Sequence, residues 1–292
     1  MTPSVAVIGA GALGAPIARR ALQAGLEVTV CDRSPDALAA FAGTGAVLAA
    51  APSDCAGRDL VVVIVSTADQ VREVVLGDGG LVAGLAAPHT PLVLIMSTVA
   101  PAAVRDLQAE LSRVGVRLLD VPVSGGPLRA QAGTLTVLCG GAAADVDAAR
   151  PLLAAIGTNI FHCGAVGAAQ TTKMVNNAIC AANCVVTAEA VRLALDLGLA
   201  PADLAPVLEV STGRNFLTGD ADQMRAFYAL WARDRASFDS ARSTLRKDVH
   251  IALELVTEPA DYPALTHLAA SLDELGDASF SHWSRLAQSG TP

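Results

Sequence analysis

Val5-Ala6-Val7-Ile8-Gly9-Ala10-Gly11-Ala12-Leu13-Gly14 opens the chain, and Glu27-Val28-Thr29-Val30-Cys31-Asp32 follows it. Four apolar residues in a row fit a strand buried on both faces. The Gly-x-Gly-x-x-Gly run then enters a helical pattern reaching about Ala24, which Gly25 closes. A second strand over Glu27 to Cys31 ends on an acid. Strand, glycine loop, helix, strand and acid make up the context that a dinucleotide fingerprint requires. In that pattern Gly9 makes the tight turn, Gly11 lets the backbone approach a pyrophosphate, and Gly14 packs the helix on the strand. Ala10, Ala12 and Leu13 complete the loop, and the helix N-terminus offers amides and partial positive charge to phosphate. Asp32 fits the acceptor of a ribose 2′-hydroxyl and favours NAD over NADP, because a carboxylate repels a 2′-phosphate. Arg33 beside it suits adenine stacking, a 2′-phosphate or plain solvation, so NADP stays open.

Further apolar runs continue the alternation. Leu60 to Val65 and Leu92 to Met96 read as parallel strands, with Ser66-Thr67-Ala68 and Ser97-Thr98-Val99 at their carboxyl ends, where open α/β sheets bind ligands. Pro101 then starts a helix. Thr98 suits a hydrogen bond to cofactor or substrate, or a helix N-cap. Arg117 to Asp120 is a short strand leading into Val121-Pro-Val-Ser124-Gly125-Gly126-Pro127. Two glycines between prolines impose an unusual path, either a cradle of Ser124 and amides or a structural turn. Thr134 to Cys139 reads as another strand, Asp145 to Ala155 as a helix, and Ile160 to His162 as a last short strand, with His162 read as a packed or partly exposed residue.

From Gly164 the signal is helical only. Ala168 to Leu197 keeps helical periodicity throughout, long enough to run from one domain into a second. Helices follow at Pro201 to Val210, Ser240 to Leu255 and Pro263 to Gly276, with Phe227 to Ala236 mixed helix and loop and 278–292 fraying. The expected fold is α/β: an N-terminal Rossmann-like, doubly wound, mostly parallel sheet (residues 1–164) joined by a long helix to an all-α C-terminal domain (165–292).

Composition narrows the function classes. Hydrophobic residues make up 52% and charged residues 16% of 292, which argues against disorder. A net charge of −8 without a clustered basic tract argues against nucleic acid. The aliphatic run Leu60 to Val65 falls far short of the roughly 18 residues of a spanning helix, and Met1 leads straight into strand rather than a signal segment. No membrane association is expected. The six cysteines are scattered, without metal spacing, so a reduced, cytoplasmic protein without a metal is expected.

Within Gly167-Ala-Ala-Gln-Thr-Thr-Lys173-Met-Val-Asn176-Asn177, Lys173 and Asn177 are i and i+4 and share a helix face. Together with the glycine loop, Asp120-Val-Pro-Val-Ser124-Gly125-Gly126, and Lys247-Asp248, this stretch resembles the β-hydroxyacid dehydrogenase family over nearly the whole chain. That family includes 3-hydroxyisobutyrate dehydrogenase, tartronate semialdehyde reductase and L-threonate dehydrogenase. The resemblance implies Lys173 as catalytic acid/base and Ser124, Gly125 and Gly126 as the holders of the substrate carboxylate. It implies Asn177 as a second substrate-orienting residue, and Thr98 and Lys247 as contacts to the cofactor near the nicotinamide. Phe238 stands further from Lys247 than the family's aromatic, which leaves the substrate open.

The chemistry explains the residue types. Oxidising an alcohol to a carbonyl requires the hydroxyl proton to leave, so a base must reach that oxygen. Desolvation brings a lysine toward the needed pKa. The reading is an NAD(P)-dependent dehydrogenase of a small 3-hydroxy acid. Its alternatives are a semialdehyde or imine reductase on the same fold, and a non-catalytic dinucleotide sensor. Imine reductases generally replace the lysine. The Ala-rich helical half is expected to bury surface in a homodimer or homotetramer.

Overall fold

The computed structural model describes residues 2–288. It divides into two compact units, one ending at Lys173 and the other starting at Met174. This division lies nine residues beyond the border expected at 164, within a continuous helix.

The first unit begins with β1 (Val5–Ile8), α1 (Gly14–Gln23), β2 (Val28–Cys31), α2 (Pro35–Ala39), β3 (Val47–Ala49), β4 (Leu60–Val63), α3 (Ala68–Leu76), β5 (Leu92–Ile95), α4 (Pro101–Ser112) and β6 (Arg117–Asp120). It continues with β7 (Val123–Ser124), α5 (Gly126–Ala132), β8 (Leu135–Gly140), α6 (Ala143–Ile156) and β9 (Gly157–Gly164). The strands form one sheet in the order β3-β2-β1-β4-β5-β6-β8-β7, with β9 on β8. β3 to β6 pair in parallel in the 3-2-1-4-5-6 order of a dinucleotide-binding sheet. β8 runs antiparallel to β6 and β7, and β9 runs parallel to β8.

The continuous apolar strands follow from burial on both faces. Val5, Val7, Val28, Val30, Val62 and Leu94 face one core with Ile17 of α1, Ala130 of α5 and Val146 of α6. Ala6, Ile8, Val61, Val63, Val93 and Ile95 face the other with Val71 of α3 and Val104 and Leu107 of α4. Each fully buried Val or Leu contributes about 1.5–3 kcal/mol of transfer energy, which favours this alternation over any register slip.

Several boundaries differ from expectation for local reasons. β4 stops at Val63, because the Val65 N–H donates to Ser97 Oγ at 2.8 Å instead of continuing the ladder. The stretch after Ser124 is a strand-to-helix turn into α5, with Gly125 at φ 130° and Gly126 at φ 68°. β9 runs to Gly164, well past the short strand expected.

The second unit continues α7 (Ala168–Asp196) and adds α8 (Pro201–Glu209), α9 (Ala221–Ala232), α10 (Arg235–Glu254), α11 (Pro263–Glu274) and α12 (Asp277–Gln288). Ala181, Cys184, Val185, Ala188 and Val191 of α7 follow helical spacing into a core with Tyr228, Phe238 and Trp283. The Trp283 ring meets Tyr228 and Phe238 edge-on at 5.4 Å. The Tyr228 hydroxyl donates to the Cys184 carbonyl at 3.0 Å. The segment expected to fray is helical to Gln288, because Trp283 and Leu286 are buried in this core; 289–292 lie outside the described residues. By length and composition alone α7 is apolar enough to cross a membrane, and 44% of its most apolar window is buried in the protein. Its apolar residues are interrupted by Thr, Asn and Gln, so it holds no aliphatic run like Leu60 to Val65.

Candidate active site

The glycine loop is shaped by contacts that permit no side chain. A Cβ on Gly9 (φ 101°) would stand 2.2 Å from the Ile64 carbonyl oxygen, and one on Gly14 would stand 1.8 Å from that of Gly9. A Cβ on Gly11 would meet nothing within 4 Å. Gly9 and Gly14 are therefore required by the protein itself, whereas Gly11 leaves open room beside the first turn of α1. That open room fits an approaching pyrophosphate. Ala10 is buried, Ala12 is exposed, and Leu13 stands as the N-cap of α1.

Asp32 does more than the sequence implies. Its Oδ2 accepts the Ala10 N–H at 2.7 Å and its Oδ1 accepts the Ser34 N–H at 2.8 Å. The carboxylate therefore ties the glycine loop to the end of β2, and each oxygen keeps a lone pair for a ribose hydroxyl. Arg33 is exposed beside it.

At the ends of β4 and β5 the hydroxyls divide their tasks. Thr67 Oγ1 accepts the Gln70 N–H and caps α3, while the Ser66 N–H donates to Gln70 Oε1 at 2.9 Å. Thr98 is not a cap, because Ala100 holds that position on α4 without a side-chain bond. Ser97 is 3% exposed and Thr98 half-buried. Ser124 pairs with Thr136 across β7 and β8 and is half-buried, with Gly125 and Gly126 exposed after it.

Asp120 is fully buried at the end of β6. Its Oδ1 accepts the Gly167 N–H at 3.0 Å and its Oδ2 the Gln170 N–H at 2.9 Å, so it caps α7 at the positive end of the helix dipole. Burial pushes its carboxyl above the ordinary range, against the lowering effect of these amides. Gly140 makes room for it, since a Cβ there would lie 2.1 Å from Asp120 Oδ1. Lys173 follows in the second turn of α7 and is buried at 7% exposure.

On the same helix Asn177 stands one turn beyond Lys173. Its Nδ2 donates to Asp248 Oδ2, and its Oδ1 accepts from Asn176 Nδ2 at 3.0 Å. Asp248 is 3% exposed. Lys247 Nζ lies 3.2 Å from Asp248 Oδ1, close enough to pair by charge, yet that oxygen has no aligned hydrogen bond. The Lys247-Asp248 pair thus braces Asn177, a link that spacing alone did not reveal.

Several other polar and aromatic side chains have partners of their own. His162 hydrogen-bonds the Gly141 carbonyl at 2.8 Å through Nε2. Trp231 stacks in the helical core against Phe227 and Trp283. Arg214 pairs with Glu209 at 3.0 Å, and Asn215 Nδ2 donates to Thr187 Oγ1. Missed altogether was Gln170, whose neighbours in space come from 71 and 73 residues away. Asp120 could have been suspected, since a carboxylate closing the run Leu118-Leu119-Asp120 must find a buried partner. Among the described residues no cluster of His, Cys, Asp and Glu could hold a metal.

Comparison with known proteins identifies the family. The family model described as the NAD binding domain of 6-phosphogluconate dehydrogenase matches residues 4–164. The one described as NAD-binding of NADP-dependent 3-hydroxyisobutyrate dehydrogenase matches 167–281. The chain is 40% identical to NAD-dependent L-serine dehydrogenase of Pseudomonas aeruginosa, over 73% of this chain and 71% of that protein. It is 39% identical to 3-hydroxyisobutyrate dehydrogenase of the same organism, with the same coverage. The structure of Mycobacterium tuberculosis 3-hydroxyisobutyrate dehydrogenase with L-serine is similar at a TM-score of 0.75 and 27% identity, covering 98% of this chain and 99% of that one. The chain belongs to the β-hydroxyacid dehydrogenase family of NAD(P)-dependent oxidoreductases that act on hydroxyl groups.

Proposed function

We propose that this enzyme oxidises a small 3-hydroxy acid of the 3-hydroxyisobutyrate or L-serine type, with Lys173 as general base. The supporting observation is a buried lysine in the second turn of α7, a helix whose first turn is capped by the same Asp120 that opens the Ser124-Gly125-Gly126 turn. In this reading the substrate carboxylate meets Ser124 Oγ and the amides of Gly125 and Gly126. Lys173 Nζ takes the hydroxyl proton, and in the reverse direction returns it to the carbonyl oxygen. Asn177, steadied by Asp248, orients the hydroxyl. Bound NAD(P)+ supplies the acceptor for the hydrogen that leaves carbon with its electron pair. Gly9 to Gly14, Asp32, Arg33, Ser66, Thr67, Thr98 and Lys247 are assigned to holding that cofactor, with NAD preferred because of Asp32.

A homodimer or homotetramer is part of the proposal. Val175, Ile179, Val186 and Leu193 of α7 are 59–64% exposed, and Ile179, Val186 and Leu193 recur at seven-residue spacing on one face. An apolar stripe of this kind suits burial against a second copy.

The test is absorbance of reduced nicotinamide with NAD+ or NADP+ against L-serine, 3-hydroxyisobutyrate, L-threonate and hydroxy acids lacking a carboxylate-proximal alcohol. Turnover confined to 3-hydroxy acids is expected. Tight cofactor binding with no turnover on any of them would favour the sensor reading instead.

A further inference from the structure

Gln170 is fully buried, and both ends of its side-chain amide are engaged. Its Oε1 accepts the Val99 N–H at 3.2 Å, and its Nε2 donates to the Ser97 carbonyl at 2.9 Å. These two bonds clasp the backbone on either side of Thr98. Its own N–H goes to Asp120 Oδ2, and the other Asp120 oxygen takes the Gly167 N–H. Ser97 is held in turn, its Oγ accepting the Val65 N–H. Gln170 precedes Lys173 by three residues, so the two side chains leave neighbouring positions on one side of α7.

Filling this space would need no polar side chain. A buried amide is destabilising when its partners are missing, and an apolar residue of the same size avoids that cost. A side chain whose donor and acceptor are matched to two backbone groups specifies a position instead. The clasp fixes both the rotation of the first turns of α7 and its depth against the β5 exit loop.

We infer that Gln170 is a positioning residue for the reaction: it sets the register between the Thr98 peptide and Lys173. It acts through these two and touches neither substrate nor cofactor. The inference rests on Lys173 being the base.

The experiment compares Q170L, Q170E, T98A, the double variant Q170L/T98A, and K173A in the full-length enzyme, on whichever hydroxy acid it turns over fastest. Q170L keeps the volume and loses both bonds. Its kcat is expected to fall about 10- to 100-fold, with the Kd for NAD+, read by fluorescence, unchanged within about threefold. Losses in Q170L and T98A should combine to less than the product of the two, because both act on one peptide. In Q170E the protonated acid can accept from Val99 and donate to Ser97 as the amide does. Its activity relative to wild type should therefore rise severalfold from alkaline to mildly acid pH. Wild-type kcat in Q170L, with or without a lower Tm, would overturn the inference, as would multiplicative losses with T98A or a flat Q170E ratio. K173A separates the two claims: an active K173A removes the reading beneath the inference, whereas an inactive K173A beside an unimpaired Q170L removes only the inference.

Discussion

At the level of single residues, Lys173 is buried in the second turn of α7, and Asn177 one turn further is tied to Asp248. If Lys173 is the base, K173A should lose about 10²- to 10⁴-fold in kcat while still binding cofactor, as measured by steady-state kinetics beside fluorescence titration. Asp32 carries two tasks at once. Removing it should both loosen the loop at Ala10 and lift the repulsion of a 2′-phosphate. D32A is therefore expected to lose kcat/KM with both cofactors, and more with NAD than with NADP. An unchanged NAD:NADP ratio would show that Asp32 serves the loop alone.

Elements were legible in proportion to how much apolar surface they bury. β1, β2, β4, β5 and β6 read directly because both faces are covered. β3 has three residues, two of them exposed, and α2 buries none of its five, so neither leaves a periodic trace. α9 begins six residues earlier than Phe227, from an Asp220 cap that spacing did not single out. Two predictions belong to this scale. G14A forces α1 away from β1, since its Cβ meets the Gly9 carbonyl. It should cost about 1–3 kcal/mol or more by denaturant titration and weaken cofactor binding. The second concerns α12 on α7. His282 is buried, and its Nε2–H donates to the Ala188 carbonyl at 2.8 Å. Burial lowers its pKa, so the folded protein holds it neutral while the unfolded chain protonates near about 6.5. Its contribution is thus full above that pH and is lost as pH falls toward the lowered folded value. Thermal unfolding at neutral pH and near about pH 5.5 should show a smaller drop in H282Q, whose amide can still donate to Ala188, than in wild type.

For the whole molecule, the exposed stripe on α7 sets the prediction. Placing a charge at its centre, as in V186E, should move the protein to a smaller species in size-exclusion chromatography with light scattering. The same distribution in wild type and V186E would show that this face covers no second copy. By itself the sequence determined the architecture, which depends on near-neighbour signals: apolar runs of strand length and glycines at turn spacing. The chemistry class came with the family resemblance that the motifs around Ser124 and Lys173 carry. Only the tertiary structure decided how the site is braced. Asp120 reaches 47 and 50 residues along the chain to cap α7, Gln170 clasps the Thr98 peptide 71 to 73 residues back, and Asp248 holds Asn177 across 71. Such bonds follow from a buried polar group's need for a partner, and no local pattern names the partner until the chain has folded around it.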